Sequence, residues 1–417
     1  MLRCSILRQP AGPCNHLGAP AAPAAPKQRN PCDTIQKLHT KKQALFLLTA
    51  GYERRSAPWT CNAVDLSNRF DPGVPMQKRS FLQATAALAL VGSLGMAHAQ
   101  TTPLKFQLDW RFEGPAAFFL LPVAKGYFKD AGLDVTVDAG NGSGGAVQRV
   151  ASGSYDIGFA DMASLMEFHA NNPDAPNKPV GVMVVYNNTP AAVMALKKSG
   201  IKTPADLSGK KLGAPVFDAG RKAFPTFAKV NKVSNVAWTA MDPPLRETML
   251  VRGDIDAITG FTFTSLLNLE ARGVKTSDVV VMQYADYGVK YYGNVIIASP
   301  KLIKENPEAI KKFLAAFTKG AKDVMAKPAD AIQYVKARDG IANAALETRR
   351  LQLAIDTVVN SPDARKEGFG RLDVGRLSLM ASEVSDAFGT KTRIDPKAVW
   401  NDSFLPSAAQ LDVLPKK

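Results

Sequence analysis

Short apolar runs alternate with amphipathic segments along the chain from about residue 104. Strand-like runs lie at 104–110, 134–140, 155–161 and 180–186, and segments of helical period separate them. Apolar runs without polar alternation are typical of strands that are buried on both faces. The pattern therefore predicts an α/β unit with a parallel sheet. Its first helix is expected from Pro115 to Asp130, with proline in the first turn and glycine just past the end.

A second set of runs predicts a second α/β unit of similar plan. Its strands are expected at 210–216, 236–242, 255–261 and 278–286. The run at 294–299 is expected to return to the first sheet. We place the two crossings between the units near 187–195 and 284–295.

The chain after Pro300 is predicted to be mostly helical, with helices at 307–326, 328–338, 344–360 and 373–388. Two α/β units and a helical C-terminal part predict two lobes. The expected boundaries are 100–190 for the first part of lobe I, 191–286 for lobe II, and 287–417 for the return to lobe I with the C-terminal helices.

The first hundred residues have a different composition. Residues 1–75 are rich in Pro, Ala and Gly without sustained periodicity, and we expect a non-native or disordered extension. Residues 76–99 read as a signal peptide: Lys78-Arg79, then an apolar stretch too short to span a bilayer, then Ala97-His98-Ala99. Cleavage after Ala99 and export to the periplasm are expected. The general secretory and twin-arginine routes both remain open.

Composition excludes several kinds of chemistry. All four cysteines precede Met76, and His169 is the single histidine after Gln100. The body therefore cannot build disulfides or a cysteine zinc site, and we expect no metal, no cofactor and no catalytic residue. His169 is expected at the surface. The net charge is +15, but the lysines are scattered and form no nucleic-acid-binding stripe. There is no apolar run long enough for a membrane span.

Candidate binding residues lie where the predicted strands end, since open α/β sheets bind ligands there. They are Asp109, Trp110, Asn141, Gly142, Ser143, Gly144, Asp161, Met162, Tyr186, Phe217, Asp218, Arg221, Gly260 and Phe261.

Each of these candidates has a structural alternative. The NGSGG turn before a helix could offer amides to an anion, or could need glycine for its backbone conformation. Trp110, Tyr186 and Phe261 could stack on a planar ligand or pack in the core. Asp109 and Asp161 could bind a ligand amine or cap a helix, and Arg221 could pair with an anion or face solvent.

Four segments resemble the NMT1/THI5-like family: Q-L-D-W (107–110), V-A-K-G-Y-F-K-D-A-G-L-D-V (123–135), A-S-G-S-Y-D-I-G-F-A-D (151–161) and D-L-S-G-K-K-L-G (206–213). That family includes periplasmic binding proteins of ABC importers and fungal thiamine pyrimidine synthases. The resemblance implies a two-lobed periplasmic-binding-protein fold of type II, the Venus-flytrap, that closes on its ligand.

The resemblance further implies the periplasmic solute-binding component of an ABC importer, expected to be monomeric and to dock on a membrane permease. The expected ligand is small, partly planar and anionic or heteroaromatic: a thiamine pyrimidine precursor first, an alkanesulfonate, taurine or nitrate second. The alternatives are a thiamine pyrimidine synthase-like enzyme and a periplasmic sensor without transport. The synthases use a histidine of their own and a cysteine-rich motif. Here Arg-Phe-Glu-Gly-Pro-Ala-Ala follows Trp110, with no histidine where the family pattern places one.

Overall fold

The computed structural model describes residues 101–390 and 392–415. The expected N-terminal extension and the signal peptide with its cleavage site lie outside the described residues. The ten strands are β1 Thr102–Gln107, β2 Leu133–Asp138, β3 Ile157–Asp161, β4 Val180–Val184, β5 Ala191–Leu196, β6 Lys211–Ala214, β7 Ala237–Ala240, β8 Ala257–Phe261, β9 Val279–Gln283 and β10 Asn294–Ala298.

These strands form two five-stranded sheets. The first sheet has the order β2-β1-β3-β10-β4, and the second has the order β7-β6-β8-β5-β9. The chain passes from the first sheet to the second between β4 and β5, and returns between β9 and β10. The molecule is thus an α/β protein with two sheets, as the sequence predicted.

The prediction of purely parallel strands was wrong. β1 is parallel to β2 and β3, but β10 is antiparallel to both β3 and β4. In the second sheet, β6 is parallel to its neighbours, whereas β5 is antiparallel to β8 and β9. All residues of β5 and β10 are buried. A fully buried apolar run carries no pattern that fixes strand direction, so the sequence could not distinguish the two cases.

Strand β5 was itself not predicted, because its residues fall in the segment that we assigned to a crossing. Its sequence, AAVMAL, is rich in alanine and has no polar alternation. Such a run has weak strand propensity and becomes a strand by packing between β8 and β9.

Fourteen helices surround the sheets in the described part of the chain. They are α1 Ala117–Ala124, α2 Tyr127–Asp130, α3 Ser143–Ala151, α4 Met162–Asn171, α5 Ala219–Val230, α6 Arg246–Arg252, α7 Thr262–Glu270, α8 Pro300–Glu305, α9 Pro307–Ala326, α10 Pro328–Lys336, α11 Ala344–Ala354, α12 Pro362–Glu367, α13 Val374–Phe388 and α14 Pro396–Val399. The helical C-terminal part agrees with the prediction. No described helix has the length and apolar character needed to cross a bilayer.

The helix expected from Pro115 to Asp130 is divided. A short 3₁₀ turn at Gly114–Ala116 precedes α1, and α1 ends before Gly126, which adopts a φ of 76°. That left-handed conformation interrupts the helix, and glycine adopts it without steric cost. The segment therefore forms two helices, α1 and α2, instead of one.

A column of aromatic rings joins the C-terminal helices to the first sheet. Phe106 of β1 stacks on Phe119 at 4.6 Å and on Phe313 of α9 at 5.4 Å between ring centroids. Phe317, one turn further along α9, stacks on Phe119 at 5.0 Å. Stacked rings bury large apolar area in a fixed geometry. The first sheet and the C-terminal helices therefore share one core.

Candidate ligand-binding site

A cleft lies at the carboxyl ends of β1, β6 and β8 and encloses about 560 Å³ of empty space, including its opening to solvent. Both sheets contribute to its lining, which comprises Leu108, Asp109, Trp110, Arg111, Glu113, Pro115, Ala116, Phe119, Gly142, Ser143, Phe159, Tyr186, Asp218, Ala219, Arg246, Phe261, Phe263 and Thr264.

The apolar part of the cleft is a chain of aromatic rings that passes from one sheet to the other. Tyr186 contacts Phe159 edge-on at 5.2 Å and Phe263 edge-on at 5.9 Å, and Phe263 contacts Phe261 at 5.7 Å. Tyr186 is buried in the core, whereas Phe261 and Trp110 are half-buried. The half-buried rings can therefore present a face to a planar ligand.

Two carboxyl groups of the first sheet lie in the cleft. Oδ2 of Asp109 accepts a 2.7 Å hydrogen bond from Nδ2 of Asn294, and burial raises the pKa of Asp109 to about 7 despite that bond. Oε2 of Glu113 accepts a 3.1 Å hydrogen bond from Oγ1 of Thr264, which belongs to α7 beside the second sheet. Burial also raises the pKa of Glu113, and Arg350 opposes that shift. Both groups can accept hydrogen bonds from a ligand.

The carboxylate on the side of the second sheet, Asp218, is already paired with a cation. Oδ2 of Asp218 pairs with Nη1 of Arg246 at 3.0 Å, and its Oδ1 caps α5 by accepting from the Arg221 amide at 2.9 Å. Arg246 also donates from Nε to Oε1 of Glu247 at 2.9 Å. The guanidinium lies 5.0 Å from the Trp110 ring centroid. Arg246 is therefore held by two carboxylates and one aromatic face.

Gly260 makes room for this ion pair. A Cβ atom at that position would lie 2.7 Å from Nη1 of Arg246 and 2.6 Å from Oγ of Ser265. Such distances are too short for any side chain, so Gly260 supports the cleft from behind rather than lining it.

Three buried polar atoms of the lining have no hydrogen-bond partner among the residues that the structure describes. They are Nε1 of Trp110, Oγ of Ser143 and Nη2 of Arg246; the last lies 2.8 Å from Oε1 of Glu247, but not in hydrogen-bonding geometry. Buried polar groups are nearly always paired with protein, water or ligand. These atoms have hydrogen-bonding capacity that the described residues do not use.

In the NGSGG turn, backbone amides donate hydrogen bonds to carbonyls of the protein. The Gly142 amide donates to the Asp109 carbonyl at 2.7 Å, and the Gly144 amide donates to the Phe217 carbonyl at 3.1 Å. A Cβ on Gly142 would lie 2.2 Å from that same carbonyl oxygen. The glycines therefore allow this turn to approach the loop before α5 closely, and two of its amides are already occupied.

Several candidate residues lie outside the cleft lining. Asp161 is buried and caps α4, accepting from the Ala163 amide at 2.9 Å, and burial raises its pKa to about 7. Met162 is buried beside it, and Asn141 is exposed. Phe217 packs its ring near Gly144 and Gly145.

Arg221 is engaged elsewhere as well. Its guanidinium lies 4.8 Å from the Trp238 ring centroid, and Nη1 donates to the Ala214 carbonyl at 3.1 Å. The prediction that His169 lies at the surface was wrong: the residue is buried, and Nε2 lies 2.8 Å from the Pro179 carbonyl oxygen. An imidazole can be buried when a backbone group satisfies it.

Glu113, Arg246, Phe263 and Thr264 were not predicted as site residues. Phe263 and Thr264 follow Phe261 directly, so extending the strand-end rule by one helical turn would have found them. Glu113 and Arg246 lie in a loop and a short helix without any distinctive spacing. Among residues 101–390 and 392–415, no three Cys, His, Asp or Glu side chains are grouped to hold a metal ion.

Known proteins show similarity to this chain at the levels of sequence and fold. The 4-amino-5-hydroxymethyl-2-methylpyrimidine phosphate synthase of Aspergillus parasiticus is 28% identical over 243 residues, which cover 56% of this chain and 70% of that protein. Riboflavin-binding protein RibY of Chloroflexus aurantiacus is 25% identical over 299 residues, covering 70% and 82%. The formylaminopyrimidine-binding protein of Halalkalibacterium halodurans is 25% identical over 244 residues, covering 58% and 72%.

Among solved structures, the alkanesulfonate-binding protein SsuA from Xanthomonas axonopodis pv. citri matches with a TM-score of 0.57 at 13% identity, covering 73% of this chain and 99% of that one. The aliphatic sulphonate binding protein SsuA from Escherichia coli matches with a TM-score of 0.55 at 14% identity, covering 74% and 94%. These likenesses show a periplasmic-binding-protein fold. A family model described as "NMT1/THI5 like" matches residues 116–331, which is just over half of the chain. The resemblance seen in the sequence is confirmed, and the chain belongs to the NMT1/THI5-like family.

Proposed function

We propose that this protein is the exported solute-binding component of an ABC importer, and that it captures a small planar heteroaromatic compound bearing hydrogen-bond donors. The observation that carries the proposal is the cleft, where half-buried aromatic rings lie beside two carboxyl groups that have room for a further partner. Two relatives named for binding riboflavin and formylaminopyrimidine support the same class of ligand.

The charge of the lining favours donor groups on the ligand over an anion. Asp109 and Glu113 are hydrogen-bond acceptors when ionised, and Arg246 is already paired with Asp218 and Glu247. An anionic ligand would also meet the NGSGG turn, but two of its amides serve the protein. A heteroaromatic amine is therefore the first choice, and a compact sulfonate or nitrate is the second.

The unpartnered atoms refine this description. Ser143 and Trp110 can each donate one hydrogen bond to an acceptor such as a ring nitrogen or a carbonyl oxygen. A ligand with donors on one edge and an acceptor on another would complete both parts of the cleft. Aminopyrimidines have this combination.

Hinge closure is the proposed mode of capture. Elements of the two sheets meet across the cleft through the Gly144–Phe217 hydrogen bond and through a 2.9 Å ion pair between Glu167 and Lys222. Only two chain segments join the two sheets, so relative motion must be absorbed there. A ligand that contacts both sides shifts the equilibrium towards the closed form by its differential affinity.

The synthase alternative receives support from the relatives named as pyrimidine phosphate synthases. We favour binding over synthesis because the segment after Trp110 lacks the histidine of the enzyme pattern, and because no cysteine follows Cys61. A sensor without transport uses the same cleft and differs only in its partner.

A thermal-shift screen tests the proposed ligand class. The protein is unfolded and refolded to remove carried-over ligand, then screened against pyrimidine and thiamine precursors, flavins, taurine, alkanesulfonates, nitrate and aromatic carboxylates. A ligand at about 100 times its Kd adds about 2.7 kcal/mol of apparent stability, which appears as a shift of several degrees. We expect a heteroaromatic amine to give the largest shift. A largest shift from a non-aromatic anion, or no shift from any compound, would contradict the proposal.

A further inference from the structure

Helix α11 joins elements of both sheets at the edge of the cleft. Oε2 of Glu347 accepts a 2.6 Å hydrogen bond from the Gly114 amide, in the loop that follows β1. One turn later, Nη1 of Arg350 donates to the carbonyls of Phe263 at 3.0 Å and Thr264 at 2.9 Å, in the first turn of α7. A single helical turn therefore holds the loop of the first sheet and the helix of the second.

The same guanidinium also faces a carboxylate of the cleft. Nε of Arg350 lies 3.5 Å from Oε2 of Glu113 and 2.9 Å from Oε2 of Glu347. The Arg350 side chain is 1% exposed, and those of Glu347 and Glu113 are 7% and 16% exposed. Without Arg350, two carboxylates would face each other with little water to screen them.

Glu113 is thus fixed from two directions. Thr264 of α7 donates to the same Oε2 atom that faces Arg350. The Thr264 contact requires α7 to lie beside the loop after β1, and Arg350 reaches Glu113 while it also holds two carbonyls of α7. If the sheets separate, Glu113 loses Thr264 and its pairing with Arg350 changes.

We propose that Arg350 is a positioning residue that presents Glu113 to the ligand only in the closed form. Because the Thr264 contact and the bonds from Arg350 to α7 depend on closure, a ligand meets a correctly oriented carboxylate only after the sheets have come together. This inference rests on the proposed binding function of the cleft. It adds that ligand selection at Glu113 and docking of α11 on α7 are one coupled event.

The neighbouring arginine is a matched control. Nη1 and Nη2 of Arg349 pair with the carboxylate of Glu270 at 2.6 and 3.0 Å, so this residue also links α11 to α7. It is 57% exposed and is not part of the cleft lining. Arg349→Gln removes a contact between the same two helices without disturbing Glu113.

Hydrogen exchange of the full-length protein, measured by mass spectrometry without added ligand, tests the coupling. In Arg350→Gln we expect exchange at residues 111–116 and at 262–270 to accelerate at least about tenfold, with α9 at 307–326 changed less than about twofold. In Arg349→Gln we expect changes below about threefold at both segments.

The double variant Glu113→Gln with Arg350→Gln separates positioning from simple packing. Removing the Glu113 charge relieves the repulsion from Glu347, so protection at 111–116 should return to within about threefold of the wild type. Protection at 262–270 should stay low, because the carbonyls of α7 still lack the guanidinium. No recovery at 111–116, or an Arg349→Gln effect equal to that of Arg350→Gln, would overturn the proposal.

A milder variant decides the case if Arg350→Gln also accelerates exchange in α9. Thr264→Val removes one hydrogen bond to Glu113 and keeps the side-chain volume nearly constant. We expect exchange at 111–116 to rise at least about threefold, and unchanged exchange would overturn the coupling. Because no ligand is used, failure of the ligand screen with these exchange results intact would count against the binding function alone.

Discussion

Asp109 and Asp218 occupy equivalent places in the two sheets, each just beyond a strand and inside the cleft, but their pairing differs. Asp218 accepts from Arg246, from Oγ1 of Thr259 at 3.1 Å and from the Arg221 amide. Asp109 accepts from the Asn294 side chain. The Asp218 carboxylate is fully paired by the fold, whereas Asp109 keeps acceptor capacity that, under the proposed function, a ligand would use. Both side chains are buried and occupy similar positions, so the two acids differ in their pairing.

The largest effect that would test this comparison comes from Arg246→Met. The substitution leaves the Asp218 and Glu247 carboxylates buried without their cation. Removing one partner of a buried ion pair costs about 3–5 kcal/mol, so we expect a loss of this size in the free energy of unfolding by urea. Arg252→Met on the same helix breaks an exposed pair with Asp254 and should cost less than about 1 kcal/mol. Equal losses in the two variants would show that the Asp218 pairing is not structural.

The ionisation of Asp109 should affect how the free energy of unfolding depends on pH. Its pKa of about 7 in the folded protein exceeds its ordinary value of 3.8, so its contribution to stability is complete below about pH 4 and is lost as the pH rises to about 7. We expect Asp109→Asn to reduce the fall in unfolding free energy between pH 5 and pH 8 by roughly 2 kcal/mol. Asp161, with a similar pKa, should retain its own share of that fall. An unchanged slope would show that Asp109 is not a poorly paired acid.

Trp110→Ala should weaken ligand binding at least about tenfold, measured by titration calorimetry with the strongest compound of the screen, because it removes a stacking face. Trp110→Phe keeps a ring and loses the indole N–H, so we expect a smaller loss of about two- to fivefold. Trp238→Phe, outside the cleft, is the control and should leave the affinity unchanged. Unaltered affinity in Trp110→Ala would remove this residue from the site.

Lys222→Gln should have the smallest effect. It breaks the ion pair with Glu167 that links α5 to α4 across the two sheets. Pairs that are partly exposed contribute less than about 1 kcal/mol, so unfolding free energy should fall by no more than that. A loss above about 2 kcal/mol would contradict the view that this partly exposed pair contributes little to stability.

Strand-end reasoning could predict part of the cleft lining, because β1, β2 and β8 end beside it. Trp110, Asp109, Ser143 and Phe261 do line the cleft, since the carboxyl edge of neighbouring parallel strands gathers the residues that follow each strand; their role in binding stays a prediction.

Other features depend on partners that are distant in the chain. Arg246 reaches the cleft because Gly260 leaves space for it, and Glu113 is held by Arg350, more than 200 residues away in sequence. Nothing local marks either residue. The antiparallel direction of β10 is likewise decided by where the chain returns after the second sheet.

Direct titration of the refolded protein with two compounds tests the central claim most directly. The compounds are 4-amino-5-hydroxymethyl-2-methylpyrimidine and a short alkanesulfonate, each followed by calorimetry in the same buffer. Asp109 and Glu113 keep unused capacity to accept hydrogen bonds, and aromatic rings lie beside them. We therefore predict that the aminopyrimidine binds at least about tenfold more tightly than the alkanesulfonate. Tighter binding of the alkanesulfonate would contradict the account, since it would require a cation that the Asp218–Arg246–Glu247 cluster keeps paired.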